Sequence, residues 1–387
     1  MRRLAGRVAH LKQSDIRRYS RIVQEMGGVN LSQGVCDQPA PEAARQAAKD
    51  AIDANRAIYT DMRGIAPLRQ AIADKMRRFN GLTVDPETQI VVTCGTAGAF
   101  VCVMMATLEP GDEVIVFSPG YHYYPETMAL IGVKARYVDT HAPRWTFAPR
   151  DLAAAFSDRT RMILVNTPCN PTGKVFTEDE LRQIAELADR QDVWIVTDEI
   201  YEYITYDVPH VSIGRLPGAA GRTFTVSGPS KTYAVTGWRI GWVAGPADAM
   251  EKVAIVNDLV NICAPAPLQH GVLAALSLPD SYYRDMAGDY RKRRDLLVRT
   301  LSDIGFTPYV PDGAFYMLAE FSEGRFASAT EAAETILFKV GVATVPAQSF
   351  YRDPADGARV LRFCFAKSMP ELEEACRRLA SLKGLGL

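Results

Sequence analysis

Short apolar runs recur through the middle of the chain, each bounded by polar, glycine or proline residues. Their length and β-branched content predict strands over 89–93, 113–117, 134–138, 162–166, 193–197, 223–226 and 240–244. Helical patterns separate them. The stretch from Ala97 to Leu108 is almost entirely apolar, too short to cross a bilayer, and reads as a buried helix. Thr177-Glu178-Asp179-Glu180 reads as a capping box opening a helix that runs toward Arg190. Buried strands spaced by helices favour a mostly parallel central sheet covered on both faces, an α/β architecture.

After the break Ala264-Pro265-Ala266-Pro267 the pattern changes. A helix rich in Tyr and Arg is predicted over 282–302, then a Pro/Gly segment over 308–313. Strand, helix, strand and helix follow over 315–318, 329–340, 360–366 and 371–382. With 387 residues, 48% of them hydrophobic, the chain can bury a large core and is expected to fold as two domains. No internal repeat or low-complexity segment competes with this organisation.

Charge narrows the function. Lys plus Arg number 44 against 45 Asp plus Glu, so no broad field favours nucleic acid or an anionic membrane as a partner. The seven cysteines are scattered, show no CxxC metal spacing and read as reduced thiols, with no metal site expected. Met1-Arg2-Arg3-Leu4 is basic, but Arg7, His10, Lys12 and Asp15 interrupt any apolar stretch behind it, which argues against a secretory signal and for a cytoplasmic protein.

The chemistry concentrates on Asp198 and the segment from Ser227 to Gly241. Lys231 offers an amine that can condense with an aldehyde, Asp198 an anion for a protonated ring nitrogen, and Arg239 a fork for phosphate. One cofactor would need all three. Gly95-Thr96-Ala97-Gly98 stands between a predicted strand and the apolar helix, where free backbone amides suit an anion, though it lacks the GxGxxG dinucleotide spacing.

In these residues the chain resembles the class I/II aminotransferases, the fold-type-I enzymes that use pyridoxal 5'-phosphate (PLP). The matching pieces run in order: Asn30 to Gly34, Tyr59 with Gly64 and Leu68-Arg69, Gly95 to Gly98, Pro119 with Tyr121, Asn170-Pro171-Thr172-Gly173, Asp198 to Tyr201, the lysine segment, and Leu361-Arg362-Phe363. The resemblance implies a large PLP-binding domain over 46–290. A smaller α+β domain would comprise the carboxy-terminal part, 291–387, and part of the amino-terminal arm, 1–45.

It also implies roles. Lys231 would hold the cofactor and then act as the general base at the substrate α carbon. Asp198 would keep the pyridine nitrogen protonated, while Asn170 and Tyr201 would donate to the ring's phenolic oxygen. Gly95, Thr96, Ala97, Ser230 and Arg239 would bind the phosphate, joined by Tyr59 from the neighbouring subunit of a homodimer. The stacking residue would be Tyr121, an assignment that the run Tyr121-His122-Tyr123-Tyr124 leaves open by one or two positions. Arg362 would grip the substrate α-carboxylate, with Gly34 approaching it through the backbone and Asn170 nearby. Two departures stand out. Gly228 occupies the position three before the lysine where the family often has a hydroxyl, leaving Ser227 as a candidate substitute, and the family turn Gly-x-Pro-Asp appears as Gly34-Val35-Cys36-Asp37.

The implied reaction is ping-pong transamination between an L-amino acid and a 2-oxo acid. Arg63 is a candidate for reading a distal carboxylate or a polar substrate tail, and equally for an interface or solvent-facing charge, while the nearby tyrosines and Phe350 allow an aromatic or bulky apolar substrate instead. Two alternatives remain: a β-eliminating lyase on the same scaffold, and a nonenzymatic PLP-binding regulatory protein.

Overall fold

The computed structural model describes residues 5–9, 11 and 15–385; the basic start at 1–4 lies outside them. All seven anticipated strands form one sheet. They are β2 (Ile90–Thr93), β3 (Glu113–Ser118), β4 (Lys134–Asp139), β5 (Thr160–Asn166), β6 (Trp194–Asp198), β7 (Thr223–Ser227) and β8 (Gly241–Ala244), preceded in the chain by the short β1 (Val29–Asn30). Their order across the sheet is β2-β8-β7-β6-β5-β3-β4. Only β8 runs against its neighbours, pairing antiparallel with both β2 and β7.

The sheet is buried on both sides because its strands alternate between two apolar layers. Val114, Val116, Leu164 and Val196 face the layer holding Phe100 and Val103 of the helix Gly95–Thr107. Ile115, Ile163, Val165 and Ile195 face Leu181 and Ile184 of the helix Glu178–Arg190. That second helix starts with the anticipated capping box: the Thr177 hydroxyl accepts from the Glu180 amide, and the Glu180 carboxylate accepts from the Thr177 amide at 2.9 Å.

The carboxy-terminal half builds a second sheet from β9 (Phe306–Tyr309), β10 (Tyr316–Phe321), β12 (Val345–Pro346) and β13 (Val360–Cys364), ordered β12-β13-β10-β9 and antiparallel throughout. β11 (Val342–Ala343) pairs instead with β1, which ties the amino-terminal arm to this part of the molecule. Helices Asp280–Asp303, Ala329–Val340 and Met369–Ala380 cover the sheet, close to the spans the apolar spacing predicts. All seven cysteines are free thiols. Among the described residues no helix is long and apolar enough to cross a membrane.

Candidate active site

Parallel strands bring their carboxy-terminal ends to one edge, and ligands of such sheets sit outside that edge where the strand order reverses. Here β2 leads to Gly95, β3 to Tyr121, β5 to Asn170, β6 ends on Asp198, and β7 leads to Lys231. Antiparallel β8 begins at the same edge, since Gly241 pairs with Thr93 and Trp242 with Ser227, so Arg239 arrives there as well. A cavity of about 600 Å³ opens on this edge. Its lining brings together Gly34, Thr96, Ala97, Tyr121, Asn170, Asp198, Tyr201, Ser230, Lys231, Arg239 and Arg362.

Lys231 lies in the short helix Pro229–Thr232, and its ammonium donates to the Gly34 carbonyl at 2.9 Å. Burial pushes its pKa down, so the neutral amine needed of a nucleophile and a base is more accessible. Asp198 is pushed the other way, up to about 6 in the cofactor-free protein, chiefly by burial. One carboxylate oxygen accepts from the Tyr124 hydroxyl at 2.8 Å and the other from the Ile200 amide at 3.1 Å. A carboxylate held this way is short of positive charge, which a pyridinium N–H would supply.

The anion end of the cavity is built by close backbone approach. Gly95 has φ +75°, and a Cβ there would collide with the Arg239 guanidinium. A Cβ on Gly241 would run into the Gly95–Thr96 backbone. Arg239, itself left-handed at φ 55°, is thereby held over the start of the helix Gly95–Thr107, beside Ser230.

Arg362 comes from the other sheet, on β13, and is 1% exposed. It donates to the Asn170 side-chain oxygen at 2.8 Å and to the Ser32 carbonyl at 2.6 Å. Its guanidinium lies between the rings of Tyr316 and Phe350, 4.5 and 4.8 Å from their centroids. Its Nε is buried without a partner, a donor placed for a ligand anion. The Tyr201 hydroxyl, kept protonated by burial, meets that of Tyr316 at 3.1 Å.

Three residues weighed from the sequence lie outside this chain's cavity wall. Tyr59 is 77% exposed and does not line this chain's cavity. Ser227 does not take the place of the missing hydroxyl; it donates instead to Glu202 at 2.6 Å. Arg63 bonds the Thr88 carbonyl at 3.1 Å and is absent from the cavity wall. The run of aromatics stays together, Tyr121, His122, Tyr123 and Tyr124 all lining the cavity, and Tyr124 also donates to Asp198. Sequence reasoning missed Tyr124, Tyr316 and Ser32, whose roles depend on contacts across elements; the density of tyrosines after Pro119 was the only signal for the first.

Behind the site sits a buried polar network that no spacing announced. Lys75 meets Glu202 at 2.5 Å and Asn80 at 2.9 Å. Asn80 donates to Glu199, Glu202 and Ser212, while Glu199 also contacts Ser212 at 2.6 Å and His210 at 2.9 Å. Burial opposes ionisation of Glu202, yet Lys75 and then His210 hold its pKa below the ordinary value. Glu199, Glu202 and His210 converge as metal ligands do, but the Lys75 ammonium already supplies a cation there. Glu199 follows Asp198 directly, so the network braces the end of β6.

A lysine amine, a carboxylate, a helix start beside Arg239 and a buried arginine gathered at one α/β sheet edge are the groups that a PLP-dependent fold-type-I enzyme would need. Comparison with known proteins gives the particular family: residues 27–379 match the model for aminotransferase class I and II, and the chain belongs to that family. It is 35% identical to a probable N-succinyldiaminopimelate aminotransferase of Mycobacterium tuberculosis, over 94% of each chain. It is 37% identical to the aspartate/prephenate aminotransferase of Thermus thermophilus, over 92% of this chain and 91% of the other. A solved structure of N-succinyldiaminopimelate aminotransferase from M. tuberculosis superposes with a TM-score of 0.94 at 33% identity, covering 98% of this chain and all of the other. The protein is an aminotransferase, and its cofactor is PLP.

Proposed function

We propose that the protein transfers an amino group from an L-amino acid to a 2-oxo acid by a ping-pong mechanism, both half-reactions using the same cavity. The observation that carries this is the convergence of Lys231, Asp198 and Arg362 on one space. PLP, when bound, supplies an electrophilic carbon and an electron sink. Arg362 binds the substrate α-carboxylate and fixes the α carbon, helped by Asn170 and the Gly34 backbone. Lys231 Nζ, its charged form disfavoured by burial, would take the proton from the substrate α carbon and hold it for return to the substrate–cofactor adduct. Asp198 would keep a proton on the pyridine nitrogen, and Tyr201 and Asn170 would donate to the phenolic oxygen. Ser230, Thr96, Arg239 and the amides of 95–97 hold the phosphate. Tyr121 in the wall, with Phe350 packed on Arg362, would help shield the α carbon from water.

We further infer a cytoplasmic homodimer. Exposed Ile58 and Tyr59 lie beside exposed Leu259, Val260 and Ile262, because Asn257 bonds the Met62 carbonyl and Gln269 bonds Thr60. A second copy covering this apolar patch would bring its Tyr59 to the neighbouring phosphate. The division at 46–290 and 291–387 draws support from the seven-stranded sheet lying in the first span and the four-stranded sheet in the second.

The test is a rapid-mixing experiment with PLP-loaded protein and single L-amino acids, without any acceptor. One equivalent of 2-oxo acid should appear, and a second only after a 2-oxo acid is added. Continuous release of ammonia would instead assign a β-eliminating lyase.

A further inference from the structure

Four cationic side chains line the cavity among the described residues: Arg17, Lys231, Arg239 and Arg362. Three are committed by position. Lys231 is the amine, Arg239 packs on Gly95 at the phosphate end, and Arg362 is held by Asn170 and Ser32. Arg17 is left over. It stands exposed at the mouth, on the helix Asp15–Glu25, with no hydrogen bond or ion pair to any described residue. Its neighbour Ile16 lines the same wall, as do Tyr121 and His122.

Two observations make that position more than a stray surface charge. First, Arg17 is registered to the carboxylate end: Tyr19 and Val23 bury its helix, and the Ser20 hydroxyl meets that of Ser32 at 3.2 Å, while the Ser32 carbonyl accepts from Arg362. Second, the lining that Arg17 shares with His122 holds a polar atom without a partner, because His122 Nδ1 is buried and unbonded. Burial and the Arg362 charge keep that imidazole neutral, its pKa lowered to about 4, so His122 adds a hydrogen-bonding edge and no competing charge.

Resting on the transamination reading, we propose that Arg17 is the specificity-determining residue of this site. It takes the distal carboxylate of an acidic amino acid and of the matching dicarboxylic 2-oxo acid, while Arg362 takes the α-carboxylate. A guanidinium suits this role because it stays charged and presents a planar fork to a carboxylate.

The test compares two unreactive five-carbon acids, glutarate and valerate, by calorimetry on PLP-loaded wild type, Arg17→Gln and Arg17→Lys. Wild type should bind glutarate about tenfold more tightly than valerate, the scale of one charge-assisted contact. Arg17→Gln should bring glutarate down to the valerate level, with Arg17→Lys between the two. Valerate binding reports that the Arg362 end of each variant is intact. Equal binding of the two acids by wild type, or glutarate binding unchanged in Arg17→Gln, overturns the proposal. Neither acid is turned over, so this result is separate from the transamination assay, where Arg17→Gln should raise KM for 2-oxoglutarate with little change in kcat.

Discussion

At the residue scale the site is governed by charges that burial makes unfavourable until a ligand arrives. Asp198 is the clearest case. Its pKa in the folded, cofactor-free protein lies above the ordinary carboxyl value, so it favours folding while protonated, and that contribution fades as pH rises through about 6. The loss at neutral pH is roughly 3 kcal/mol. Cofactor-free Asp198→Asn should therefore melt higher than cofactor-free wild type at pH 7 to 8. The gap should close below about pH 4, where the wild-type carboxyl is protonated in both folded and unfolded chains. Thermal denaturation across pH measures this. With PLP the order should reverse, because the variant offers no anion to the ring nitrogen. Lys231→Ala, by contrast, should reduce kcat by about 10³-fold or more, since it removes the base and the covalent attachment together; a single-turnover assay reads it.

At the scale of elements, what matters is how strand ends are held. β6 carries Asp198 on its last residue, and Glu199, immediately beyond, is anchored by Ser212 and His210. Glu202, one residue past Tyr201, is anchored by Lys75 from the end of the helix Ala66–Lys75 and by Ser227 from the end of β7. Lys75→Met leaves two buried carboxylates short of a cation and should cost about 3–5 kcal/mol, measured by denaturant unfolding. The double variant Lys75→Met with Glu202→Gln should recover part of that loss, because one buried charge goes with its partner. A loss confined to cofactor affinity, with unchanged stability, would contradict a bracing role.

At the scale of the whole molecule, the site joins two sheets and, in the proposed assembly, two subunits. Tyr59 is exposed and lines no part of its own chain's cavity, so the proposed assembly gives its contribution to a neighbour. Light scattering should give twice the chain mass. Tyr59→Phe should weaken PLP binding, read by cofactor titration, without changing the melting temperature of the cofactor-free protein. A monomer of full activity would refute both the assembly and the role of Tyr59.

Much of this was legible in the chain. The seven strands, the capped helix at Thr177 and the positions of Lys231, Asp198 and Arg239 follow from local pattern and motif, because period, propensity and motif chemistry are local properties. What the sequence could not supply was anything set by approach between distant segments. It left Ser227 open as a phosphate ligand, and the folded chain turns that hydroxyl to Glu202. It offered Arg63 for a distal carboxylate, and folding places Arg17 in the cavity wall instead. It did not show that the Tyr124 hydroxyl reaches Asp198, a contact that the turn after β3 makes while the whole run from Tyr121 to Tyr124 lines the cavity. The chain alone determined its strands and its fold class and singled out the candidate cofactor groups. Tertiary structure decided which side chains share the cavity and which brace it, because sheet order and the packing of Arg362 across two sheets set distances that no spacing along the chain encodes.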